Sequence, residues 1–120
     1  MRTATLRFEP AGWEIEIYPA TSENEGYVTA MKLLAFPHQL ALELERLSDE
    51  RAADIMAHVV AESVVKGSST PGLPDSLDGW HAWLLEHPEE FEVILSTARL
   101  PNDWERMSDG AAQDDIQELR

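Results

Sequence analysis

Residues 48–67 read SDERAADIMAHVVAESVVKG, and this stretch decides the fold class. Ala52, Ile55, Met56, Val59, Val60 and Val64 recur at helical spacing and make one continuous apolar face, while Glu50, Asp54 and Glu62 fall off it. Ser48 is placed as an N-cap, and Asp49 and Glu50 suit the positive end of the helix dipole. Lys66 in the last turn and Gly67 behind it predict a helix over about 49–66 that stops at the glycine. A helix this amphipathic must bury its stripe against a second layer.

Toward the N-terminus, Pro37 suits the first turn of a helix running to about Leu47, with Leu40, Leu44 and Leu47 on one face. Residues 27–35 (YVTAMKLLA) fit a short helix or a third strand equally, and periodicity does not decide. Residues 19–26 (PATSENEG) are a polar loop. In 13–18 (WEIEIY), Trp13, Ile15 and Ile17 alternate with Glu14, Glu16 and Tyr18. With 3–8 (TATLRF) and a Glu9-Pro10-Ala11-Gly12 turn, this predicts a β-hairpin whose apolar face must lie on the helices.

Toward the C-terminus, residues 67–76 hold two Gly, two Pro and three Ser, an exposed crossover. Asp75 or Ser76 caps a helix through about Glu86, with Leu77, Trp80, Trp83 and Leu84 facing inward. His87-Pro88-Glu89-Glu90 restarts a helix carrying Phe91, Ile94, Leu95 and Ala98, ending near Arg99. Asn102 caps a last turn holding Trp104 and Met107. Residues 108–120 are polar and acidic, and a disordered tail is expected there, with Ile116 and Leu119 able to form a short amphipathic turn on a partner. The expected fold is mainly α with a short N-terminal β-hairpin, an α+β chain. Its single domain spans 1–107, with the hairpin at 3–18 and a small bundle of four to five helices over about 37–107.

At 120 residues and 43% hydrophobic, the chain can bury a core without staples. It has no cysteine, which removes disulfides, thiolate nucleophiles and Cys-based metal sites. Nine Lys plus Arg face 23 Asp plus Glu, a net charge of -14. Such a surface repels phosphate backbones and anionic lipid, so direct nucleic-acid or membrane binding is not expected. No apolar run reaches membrane-spanning or signal-peptide length, and a cytoplasmic protein is the default.

The residues of chemistry are scattered. His38, His58, His81 and His87 are the histidines; His81 lies three residues from Asp78, with His87 nearby, but no second helix offers a matching pair of ligands. Acidic pairs are abundant in so acidic a chain and read as dipole complements and solvated faces. There is no phosphate loop, GxSxG or HExxH. Hence no catalytic, cofactor or metal residue is assigned, and no cofactor is expected. The four tryptophans read as core, or else as aromatic anchors for a partner. Trp83 and Trp104 are the candidates for partial exposure, Trp104 the better because it lies beyond the last strong helix. Met31, Met56 and Met107 are adaptable apolar contacts or ordinary core filling. The candidate partner-binding set is Trp83, Trp104, Met107 and Met56.

The layout itself points further. A hairpin leads into a leucine-rich helix and then a helix start at Leu47-Ser48-Asp49-Glu50-Arg51-Ala52. A Pro/Gly-rich crossover, a Trp-rich helix, the His87 to Leu95 segment and an acidic C-terminus follow. This resembles the tail assembly chaperones of long-tailed bacteriophages, in architecture across most of the chain and without a diagnostic motif. The resemblance implies a non-catalytic protein of the host cytoplasm that binds the tape-measure protein and keeps that long apolar helix soluble while tail-tube subunits assemble around it. A homo-oligomer is compatible with this reading. Two other readings stand beside it. One is an acidic DNA mimic that blocks a nucleic-acid-binding protein, using Glu43, Asp54, Glu62 and the Glu89–Glu92 cluster. The other is a small structural head–tail subunit of the virion.

Overall fold

The computed structural model describes residues 1–39 and 48–104. The hairpin forms where alternation requires it: β1 (Ala4–Phe8) pairs antiparallel with β2 (Trp13–Ile17), Leu6 opposite Ile15 and Ala4 opposite Ile17. Leu6, Phe8, Ile15 and Ile17 are buried on one face, and Thr5, Arg7 and Glu14 are exposed on the other. At the turn Gly12 adopts φ 75°, the left-handed region a side chain disfavours, and its N–H donates to the Phe8 carbonyl at 2.8 Å. The Glu9–Pro10 peptide is cis.

The ambiguous stretch 27–35 is helical. Helix α1 (Glu25–Ala30) continues into a wider turn over Met31–Ala35 and a 3-10 turn over Phe36–His38 that contains Pro37. Leu40, Leu44 and Leu47, the stripe of the helix expected to start at Pro37, lie outside the described residues, as does Met107 with the tail at 108–120.

Helix α2 (Asp49–Ser63) starts as expected, the Ser48 hydroxyl accepting from the Arg51 amide at 3.1 Å. It ends at Ser63 rather than Lys66. Val64 caps it, and Val65–Gly67 forms β3, which pairs antiparallel with β2, Ile17 opposite Val65. The expected hairpin is therefore a three-stranded sheet in the order β1-β2-β3. Two adjacent β-branched valines favour this outcome over helix, and the Tyr18 N–H donating to the Val64 carbonyl at 2.7 Å draws the chain onto β2. Gly67, expected as a helix terminator, instead takes φ 151° at the end of β3. The following loop is sewn to the sheet: Ser68 Oγ donates to the Glu14 carbonyl, and the Glu14 N–H donates to Thr70 Oγ1 at 2.9 Å.

Helix α3 (Leu77–Glu86) is capped by Ser76, whose hydroxyl accepts from the Gly79 amide at 3.1 Å. Leu77, expected to face inward, is exposed at the first turn, while Trp80, Trp83 and Leu84 are buried. Helix α4 (Pro88–Ala98) begins at the proline and buries Ile94 and Ala98. A 3-10 turn at Pro101–Asp103, with no side-chain cap from Asn102, folds Trp104 back under α4. The result is an α+β fold with a three-stranded antiparallel sheet and, among the described residues, four α-helices. One apolar cluster joins the inner face of the sheet to α2, α3, α4 and Trp104. The ends of the described chain are tied together by Arg2. Its guanidinium donates to both Glu23 carboxylate oxygens, at 2.8 and 3.0 Å, and to the Pro101 carbonyl at 3.0 Å.

Candidate functional site

An aromatic anchor for a partner must be exposed, and neither candidate tryptophan is. Trp104 is 5% exposed, and its indole N–H donates to the Thr97 carbonyl at 2.9 Å. Trp83 is 7% exposed, set edge-on to Trp13 and Trp80 at centroid distances of 5.5 Å and stacked on His87 at 4.3 Å. Both are core, and the expectation of a partly exposed anchor at either is corrected. Lying past the last strong helix says nothing about exposure when a proline turn returns the ring beneath that helix. His87 belongs to the same cluster: Nδ1 lies 2.8 Å from the Trp83 carbonyl, which can only accept, so Nδ1 carries the proton. Met56 is half-buried on α2.

The other histidines pair across α2 and α3. His58 and His81 stack at 5.2 Å, His81 Nε2 lies 2.8 Å from Asp54 Oδ1, and Arg51 donates to Asp54 Oδ2 at 2.9 Å. His81 thus turns to α2 and not to Asp78 on its own helix. No three His, Asp or Glu side chains converge as metal ligands among the described residues. Of the carboxylates in the DNA-mimic reading, Asp54 is engaged between Arg51 and His81, while Glu62 stands 3.7 Å from His58 and remains open to solvent. Glu43 lies outside the described residues.

What remains is an apolar surface along α1 and the two turns that continue it, which the sequence alone did not single out. It begins with Asn24, 2% exposed. The Asn24 Oδ1 accepts from the Tyr27 amide at 3.1 Å, capping α1. Its amide nitrogen donates to the carbonyls of Pro19 and Ser63, each at 2.8 Å, so one side chain ties α1 to the strand exit and to the end of α2. Beyond Ala30 the helix widens, the Phe36 N–H reaching back to the Met31 carbonyl. In a turn closed by i→i+5 bonds, residues five apart share a face. Ala30 and Ala35 are accordingly both buried, Met31 and Leu34 are half-buried, and Lys32 and Leu33 turn outward. Leu33 is 70% exposed and Phe36 52%. Leu33 and Leu34 border a groove of about 410 Å³ with Thr29 and Ala30, and Glu25 and Glu62 stand at its margin. The signal was present in YVTAMKLLA, whose apolar residues exceed what one buried face can hold.

No helix among the described residues is long and apolar enough to cross a membrane. No protein family, curated protein or solved structure matches the chain.

Proposed function

We propose that the chain is a non-catalytic protein-binding module. It receives an apolar helical segment of a client on the face formed by Leu33, Leu34 and Phe36. The observation that carries this reading is the exposure of Leu33 on the border of a groove that Leu34 also lines, with Phe36 exposed three residues further on, so that large apolar side chains cluster at one surface. Helix-in-groove recognition needs such a surface. The carboxylates of Glu25 and Glu62 at the margin, on a chain of net charge -14, select a client helix whose apolar stripe is flanked by Lys or Arg. Among modules of this kind, the sequence resemblance favours a phage tail assembly chaperone, with a tape-measure helix as client, acting in the host cytoplasm.

The test is co-expression with a long helical protein of the tape-measure type. The wild-type chain should keep that client soluble and co-purify with it, and should hold it in 1 M salt, where charge attraction is screened to about 3 Å. The double variant Leu33→Glu, Phe36→Glu should keep its own thermal midpoint and lose the client. Retention of the client by a folded double variant, or release of the client by salt alone or by duplex DNA, refutes the reading.

A further inference from the structure

The sheet has an open side. In an antiparallel pair, residues alternate between facing the partner strand and facing away. The Phe8 carbonyl faces β2, where it accepts from Gly12, so Leu6 and Ala4 face β2 as well. The backbone N–H and C=O of Thr5 and Arg7 then point away from the sheet, at the edge of the order β1-β2-β3. No backbone hydrogen bond among the described residues engages these outward groups. At the Phe8 end of this edge strand, Phe8 and α4 wall a groove of about 530 Å³. The α4 wall carries Glu89, Glu92, Val93 and Ser96, a row rising one helical turn at a time.

We propose that this edge is a second interaction surface, one that takes an extended basic segment of a partner as a fourth strand on β1. Main-chain bonds to Thr5 and Arg7 supply the affinity, and the α4 wall supplies the choice of side chains. Alternate side chains of a strand share one face, so Lys or Arg at every second position presents a row of cations to the wall that carries Glu89 and Glu92. Charge selects the occupant. A second copy of the chain brings another -14, and the chain's own C-terminal residues are predominantly acidic, so both are repelled by the wall that attracts a basic strand. The surface is separate from the α1 face and stands whether or not that face binds a helix.

The probe is a seven-residue peptide alternating Lys and Val, added to the full chain while backbone amide NMR signals and binding affinity are followed. Binding should move the Thr5 and Arg7 signals first. Methylating the peptide's backbone nitrogens along one edge should abolish binding, and methylating those along the other should leave it, because only one edge meets β1. This readout does not depend on a protein variant folding. The pair Glu89→Gln, Glu92→Gln should weaken binding by about tenfold at low salt, and Thr5→Pro, which removes an outward N–H, should abolish it. Equal binding of both methylated peptides, or unchanged affinity in Glu89→Gln, Glu92→Gln, overturns the proposal. So does a sedimenting dimer that itself consumes the Thr5 and Arg7 amides, since a second copy is then the occupant.

Discussion

Replacing Asn24 by alanine removes three hydrogen bonds at one point. The cap on Tyr27 is worth about 1 kcal/mol. The carbonyls of Pro19 and Ser63 lose their donor in a buried setting, at about 1–3 kcal/mol each where water cannot replace it. The sum is about 3–7 kcal/mol, a large share of the roughly 5–15 kcal/mol that holds a domain folded. At about 4 °C per kcal/mol for a chain of this length, the thermal midpoint should fall by about 12–28 °C. Urea unfolding followed by tryptophan fluorescence measures the change directly, with the slope against denaturant unchanged. The companion variant Asn24→Asp separates the two roles, since it keeps the capping oxygen and loses the donor. At neutral pH it places a buried carboxylate against two carbonyl oxygens, so it should be less stable than Asn24→Ala. Its folded-state pKa is then raised, the folded form binds the extra proton, and its deficit should shrink as pH falls toward the ordinary carboxylate range. An Asn24→Ala variant within 1 kcal/mol of wild type, or an Asn24→Asp variant that is the more stable of the two at pH 7, refutes the assignment of Asn24 as the tie holding α1.

Trp104→Ala should cost about 3–5 kcal/mol, as loss of a buried aromatic does, and the Thr97 carbonyl loses its donor as well. Chemical denaturation checks this, and a loss below 1 kcal/mol would return Trp104 to the surface. Hydrogen bonding from Arg2 holds the Glu23 carboxyl below its usual pKa. The sign follows: the contribution of the pair is complete above the ordinary glutamate pKa and disappears as pH falls through the lowered one. The difference in thermal midpoint between wild type and Glu23→Gln, small because the pair is solvent-exposed, should therefore be present at pH 7 and shrink on acidification; a difference that grows on acidification contradicts the pairing.

How much of this could be read from residues alone depends on which physical constraint acted locally. The β1–β2 hairpin was legible because alternation of period two and a Pro-to-Gly turn are both local, and α2 was legible at its start because Ser48 needs only its own next turn. The end of α2 was not. Val64 and Val65 continue a helical stripe as well as they continue a strand, and the deciding bond comes from Tyr18, far away in sequence. The same holds for α1: YVTAMKLLA is ambiguous until Asn24 is recognised as its cap, and PATSENEG reads simply as polar loop. The tryptophans show the limit most clearly. Their chemistry suits a core and an interface alike, and only the path of the chain through Pro101 decides that Trp104 turns inward.

Burial of Trp83 and Trp104 leaves aliphatic surface, not aromatic anchors, for a partner to meet. The core cluster is complete without Leu33 and Phe36, so exchanging them for acids should not weaken the fold. An exposed apolar face of this kind is also a route to self-association. On this chain every such encounter brings two bodies of net charge -14 together, with Glu25 and Glu62 beside the contact on each. A client helix with flanking Lys or Arg meets the same apolar face with attraction instead of repulsion. The acidic surroundings therefore discriminate between partners for one apolar surface, favouring a basic amphipathic helix over another copy of the chain. Raising the salt should accordingly narrow the gap, strengthening self-association while weakening client capture only slightly. A chain that remains monomeric at high salt and millimolar concentration would show that the apolar face, and not the charge around it, is too small to hold a partner.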